Sequence, residues 1–144
     1  MAAYMRDHRE QVKSYETVYS QMVKGARRRA NELGREFSLN VAFAKRAYPA
    51  DGLCPVCKTE MIWNRGGKVG TPTSPSFDRI DNTRGYTWSN THVVCLMCNS
   101  VKQDFTIEQL ADGMAGPQWQ RWAIAFLAAQ DSRPKRRVVR RRAA

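Results

Sequence analysis

Histidine is scarce in this chain, two in 144 residues, and cysteine is limited to four. Acidic residues number 13 against 24 Lys and Arg. No run reaches the roughly 18 apolar residues that mark a spanning helix, so no membrane association is expected. The opening residues MAAYMRDH lead into no apolar segment of the kind that directs export, which predicts a cytoplasmic location. Without an oxidising compartment, reading the four cysteines as two disulfides is disfavoured. No internal repeat is present, which sets aside solenoids and arrays. What remains is enough apolar content, 42%, to fold one domain with a modest core.

The formal net charge is +11, and such a field attracts polyanions. Part of it is local. Arg133, Lys135, Arg136, Arg137, Arg140, Arg141 and Arg142 form a C-terminal run without an acidic residue, and the rest of the chain stays net positive. Lys24, Arg27, Arg28 and Arg29 make a second cluster. A solubilising tail and a solvated helix face would explain both. Nucleic-acid contact ranks above that reading because the charge accompanies a metal motif.

The segment 4–33 predicts a helix, since Val12, Tyr15, Val18, Tyr19, Met22 and Val23 recur at three- and four-residue spacing. Gly25 and Gly34 are its candidate breaks. Ser38 is placed to cap a second helix over 39–48, followed by a turn at Pro49, Asp51 and Gly52. Short strands are expected at 61–63, 77–80 and 92–94, with loops at 64–76 and 81–88, the second turning at Gly85. A helix carrying Asn99 and Lys102 follows, and Thr106 caps another through 110. Pro117 opens the last helix, with Trp119 and Trp122 as core residues. Pro134 introduces a tail without the apolar content to order itself.

Cys54 and Cys57 form one CxxC pair, and Cys95 and Cys98 a second. A two-residue gap lets two thiolates converge on one tetrahedral ion. The long segment between the pairs exceeds a finger loop and suits a treble clef, in which a knuckle, a hairpin and a helix start share one zinc. Four thiolates leave no open position, so this ion is structural.

Between and after the pairs stand SPSFDRID over 74–81, GYTWSN over 85–90 and CLMCNSVK over 95–102. Together they resemble the HNH endonucleases (His-Me finger, ββα-metal), especially a phage-type branch with an Asp-Arg-Ile-Asp core. The resemblance spans about 53–106. It implies a small α+β fold: a treble-clef, zinc-stabilised ββα-metal core flanked by N- and C-terminal helices. The implied division is 1–50 for an N-terminal helical region, 51–106 for the core, 107–131 for C-terminal helices and 132–144 for the basic tail.

The resemblance implies hydrolysis of DNA phosphodiester bonds, in the host cytoplasm if the chain is phage-encoded. Asp78 and Asn99 would bind a catalytic Mg²⁺ or Mn²⁺, Asn90 would order the hairpin loop, and Lys102 would contact phosphate together with the C-terminal basic run. Arg79 stands where the family has its general-base histidine. An arginine stays protonated and cannot take a proton, but it can neutralise a phosphate. Asp81 and His92 are then the candidates for the base, and an exposed strand histidine is an equally good reading of His92. An Asp78→Ala variant is expected to lose cleavage and keep its fold. The alternative is a zinc-containing DNA-binding accessory protein without catalysis. An RNA-binding reading fits the charge and is disfavoured by the motif. Oligomeric state and protein partners are left open.

Overall fold

A computed structural model describes residues 2–63 and 71–133, with side chains described from Thr17 onward. Ala2–Leu33 form helix α1. Val23, Ala26 and Ala30 recur at helical spacing and are buried, which makes one narrow stripe that lets the helix lie close to its neighbours. Gly25 does not interrupt the helix. Gly34, at φ +62°, ends it in the left-handed conformation that glycine adopts without steric cost. The expected contributions of Val12 and Tyr15 fall outside the described side chains.

Helix α2 spans Val41–Ala47 and is capped by Asn40, whose Oδ1 accepts the Phe43 amide at 2.8 Å. Ser38 was the expected cap, but its backbone is used elsewhere. Its amide donates to the Tyr86 carbonyl at 2.9 Å, and its carbonyl accepts Trp88 Nε1 at 2.9 Å. Phe37 and Tyr86 form an isolated parallel bridge, so the linker after α1 runs beside the 81–90 loop. Gly85 permits this approach, because a Cβ there would overlap the Glu36 carbonyl. Its role is therefore close contact, not the expected turn.

Strands β1 (Pro75–Arg79) and β2 (Thr91–Cys95) pair antiparallel in one hairpin, with Asp78 opposite His92 and Pro75 opposite Cys95. β1 begins two residues earlier than expected. The segment 61–63 forms no strand. It is held by single bonds, Met61 amide to the Gly52 carbonyl and Ile62 amide to the Thr73 carbonyl, which are too few for a ladder. The stretch 64–70 of the expected loop lies outside the described residues.

β2 runs directly into α3 (Leu96–Lys102), with Cys95 as both last strand residue and N-cap. The first α3 amides are satisfied by the strand's approach: Leu96 donates to the Ser74 carbonyl at 2.8 Å and Met97 to Pro72 at 2.9 Å. α4 (Ile107–Ala111) begins with the reciprocal Thr106–Gln109 capping box. α5 (Pro117–Asp131) buries Trp119, whose Nε1 donates to the Cys98 carbonyl at 2.9 Å. Trp122 is only half-buried, edge-on to Trp119 and stacked on Phe126. No helix among the described residues is long and apolar enough to cross a membrane.

Candidate metal centre and hairpin site

The first knuckle, after the Gly52 turn, and the start of α3 bring the sulfurs of Cys54, Cys57, Cys95 and Cys98 within 4.8 Å of one another. Cys57 Sγ and Cys95 Sγ lie 3.8 Å apart. Zn–S bonds of about 2.3 Å in a tetrahedron set S···S edges of roughly 3.8 Å, so the sulfurs stand at the spacing of one shared ion. Backbone amides point at them: Cys95 donates to Cys54 Sγ and Cys98 to Cys95 Sγ, each at 3.4 Å.

Ionisation in the cluster is unequal. The Cys98 thiol, bonded to Cys54, lowers the Cys54 pKa to about 4, against the opposing effect of burial. Cys98 is pushed up, first by that same bond and then by burial. Cys95 is raised mainly by burial. A second thiolate beside Cys54 would meet uncompensated repulsion. A divalent cation reverses this balance and accepts all four as thiolates. An all-sulfur donor set with no oxygen or nitrogen suits zinc in a closed structural site.

The hairpin carries a second constellation, built on charge. Asp78 is buried. Its Oδ2 lies 2.7 Å from His92 Nε2, the cross-strand neighbour on the same face. Its Oδ1 lies 3.3 Å from the Lys102 ammonium. Lys102 is 0% exposed and donates to the Arg79 carbonyl at 2.7 Å and to Asn82 Oδ1 at 3.2 Å. A buried ammonium of this kind persists only when paired and hydrogen-bonded. Here it ties β1, the loop after it and α3 together.

The other sequence-predicted residues are distributed as follows. Asn90 is buried and accepts the Asp81 amide while donating to the Asp81 and Gly85 carbonyls, so one side chain closes the 81–90 loop. Asn99 donates to Ser76 Oγ and to the Phe77 carbonyl, both at 3.1 Å, which sets its amide beside β1 next to Asp78. Arg79 alternates to the other face from Asp78. It donates to the Asn82 and Arg84 carbonyls, and its guanidinium lies 5.3 Å from the Tyr86 ring centroid. Asp81 is exposed and accepts the Thr83 hydroxyl at 2.6 Å, the bond that chiefly holds its carboxyl below the usual range. Asp78, His92 and Lys102 are thus brought together and Asn99 is bonded to Ser76 and Phe77 of the same strand, whereas Arg79 and Asp81 serve the loop. Lys102, expected at a phosphate, has its ammonium inside the protein. Of the basic tail, Arg133 is exposed, and Lys135, Arg136, Arg137, Arg140, Arg141 and Arg142 lie outside the described residues.

An open cleft of about 380 Å³ adjoins His92, lined by Phe43, Arg46, Ala47, Trp88 and Thr91. Sequence reasoning missed Arg46, Trp88 and Thr91 as neighbours of this site. Trp88 stands within the quoted 85–90 stretch and Thr91 directly follows it, so both lay beside a residue already singled out. Arg46 arrives from α2, and no local signal announces it.

No protein-family model matches the chain, and no curated protein matches it. Among solved structures, the rare-cutting HNH restriction endonuclease PacI, a protein described by its mechanism of DNA perturbation, shares the fold. The TM-score is 0.51 at 19% identity, over 78% of this chain and 81% of that one. The chain therefore has a mixed α/β fold with a small antiparallel hairpin, flanking helices and a clustered four-cysteine site, in a ββα-metal-like arrangement.

Proposed function

We propose that this chain is a metal-dependent DNA endonuclease of the HNH type, on a treble-clef zinc scaffold, with Asp78 and His92 at its hydrolytic centre. The observation that carries the reading is the 2.7 Å Asp78–His92 contact on a hairpin that continues directly into the sulfur cluster. The fold likeness to an HNH restriction endonuclease supports it.

Asp78 and Asn99 would hold a divalent cation. A carboxylate and a neighbouring amide oxygen suit Mg²⁺ or Mn²⁺, though the cation would share Asp78 with the Lys102 ammonium. When bound it would polarise the phosphate and stabilise the leaving oxygen. His92 serves as general base. With Nε2–H donating to Asp78, the neutral ring keeps its lone pair on Nδ1, where it can take a proton from water. The Asp78 carboxylate then stabilises the imidazolium. Lys102 fixes Asp78, and Asn90 fixes the loop between the strands. The zinc holds the far end of β2 and takes no part in the chemistry.

One observation favours the non-catalytic alternative, a zinc-containing DNA-binding protein. Lys102 already compensates the charge of Asp78, as it would in a purely structural site. The two readings separate on supercoiled plasmid with Mg²⁺ or Mn²⁺ against a chelated control. The nuclease converts it to nicked or linear forms, and His92→Ala loses that conversion. Salt-sensitive binding without any conversion, across pH and DNA sequence, would establish the alternative.

A further inference from the structure

Three arginines tie the loop 81–86 to the end of α1, and every group that accepts from them is neutral. Arg29 Nε donates to the Tyr86 hydroxyl at 3.0 Å. Arg35 Nη1 donates to the Thr83 carbonyl. Arg79 Nη1 donates to the Asn82 and Arg84 carbonyls, at 3.1 and 3.0 Å. Among the described residues no carboxylate forms an ion pair with Arg29, Arg35 or Arg79. The two carboxylates of this region are engaged elsewhere. Glu36 pairs with Arg84 at 3.8 Å, and Asp81 accepts the Thr83 hydroxyl and amide. Arg29 and Arg79 also share one ring, each guanidinium lying over buried Tyr86 at 5.4 and 5.3 Å from its centroid. Like charges gathered in this way repel, and an anion beside them relieves the repulsion. The platform is fixed, because the Tyr86 amide donates to the Glu36 carbonyl at 3.1 Å and its carbonyl accepts the Ser38 amide at 2.9 Å. Each guanidinium has one nitrogen engaged. That bond sets the direction of the fork and leaves its other N–H groups for an outside acceptor. Arg35 is exposed, and Arg29 and Arg79 are half-buried.

We infer that Arg29, Arg35 and Arg79, set around the loop 81–86, form a phosphate anchor for the DNA backbone. A planar guanidinium fork matches two phosphate oxygens, and a fork already held in place loses little freedom on binding. Such contacts position DNA and carry no sequence information. The anchor lies on the hairpin face opposite Asp78 and His92, since Arg79 follows Asp78 directly in β1. It therefore holds the DNA and takes no part in bond cleavage. The inference rests on the DNA-binding half of the proposed function, and it is the same whether the chain cuts DNA or only binds it.

The test is binding of a fluorescein-labelled DNA duplex of mixed sequence to the full-length, zinc-loaded protein, by anisotropy across a salt series, in buffer without Mg²⁺ or Mn²⁺. Arg79→Gln is expected to weaken binding several-fold and to flatten the log–log salt dependence by about 0.9, the share of one phosphate on a duplex. Arg35→Gln combined with Arg79→Gln is expected to flatten it by about twice as much. Arg79→Lys keeps the charge without the fork, so it should recover most of the slope and only part of the affinity. Arg28→Gln is the comparison. Arg28 already pairs with Glu32 on the exposed side of α1, and its loss is expected to change the slope less. An equal change in Arg28→Gln would assign the binding to net charge alone and overturn the anchor. Arg79→Gln that lowers Tm and leaves slope and affinity intact makes Arg79 a structural tie and overturns it as well. If Arg79→Gln does not fold, exposed Arg35 decides: a wild-type slope in Arg35→Gln overturns the anchor. Salt-sensitive binding that no variant changes removes the anchor and keeps the DNA reading, whereas wild-type protein that binds no DNA loses both. Variant losses in a protein that never cuts plasmid keep the anchor and select the non-catalytic alternative.

Discussion

The two ends of β2 are held by opposite physics. At Cys95 the strand ends in a sulfur cluster where burial and the neighbouring Cys54 oppose further thiolates unless a cation compensates them. At Thr91 and His92 it meets a constellation balanced from within, where Asp78 finds an ammonium on one oxygen and an imidazole on the other. The first end is incomplete without an external ion. The second is already neutralised and needs none to stay folded. One strand therefore joins a cluster that calls for an external cation to a pair of buried charges that compensate each other internally.

The largest effect follows from breaking the sulfur end. Removal of zinc, or replacement of any one of Cys54, Cys57, Cys95 and Cys98 by Ser, should collapse the fold. Structural zinc contributes about 10–16 kcal/mol in small finger peptides, more than most domains hold in reserve. Elemental analysis should find one zinc per chain, and far-UV circular dichroism should follow its loss. A metal-free protein with intact helical signal and four free thiols would remove the contrast between the two ends.

The charged end should yield a smaller, cleaner number. Lys102→Met leaves the buried Asp78 without its ammonium, a change that typically costs about 3–5 kcal/mol. Asp78→Ala strands Lys102 in the same way, so the sequence-based expectation that this variant keeps its fold gives way to one of marked destabilisation. Removing both charges together, as Asp78→Asn with Lys102→Met, should recover much of the loss, because no unpaired charge stays buried. Denaturant melts of the two single variants and the double variant measure the coupling. Simple additivity would show that the 3.3 Å pair does little to hold the hairpin.

These variants also mark what the sequence could show and what it could not. The cysteine spacing located the sulfur cluster because two CxxC pairs are local patterns with one geometric consequence. The hairpin, the α3 start at Cys95 and the Thr106 and Pro117 helix starts were legible for the same reason. The internal partner of Asp78 was not. Lys102 lies 24 positions away, and only the turn of α3 against β1 aims it inward. The cap at Asn40 was misread because two competent capping residues stand close together, and a tertiary bond to Tyr86 engages Ser38. His92 could not be distinguished from an exposed strand histidine until the register set it opposite Asp78.

The smallest effect sharpens the comparison within the hairpin, between its two carboxylates. Asp78 is buried among charges. Asp81 is exposed and bonded to the Thr83 hydroxyl and amide, at 2.6 and 2.9 Å. Those bonds, the hydroxyl first, hold the folded pKa of Asp81 below its ordinary value. A depressed carboxylate pKa stabilises the fold above the unfolded value, near 3.9, and that contribution is lost as pH falls through the folded pKa. Thr83→Val should move the Asp81 carboxyl titration back up toward about 3.9, followed by carbon-13 NMR, and should shrink its part of the acid-side stability loss. Asparagine forms the same local turn bond, so Asp81→Asn should keep both the loop and plasmid cleavage. Cleavage lost in Asp81→Asn with the fold intact would move the proton acceptor from His92 to Asp81 and undo the division between a working carboxylate and a turn-forming one.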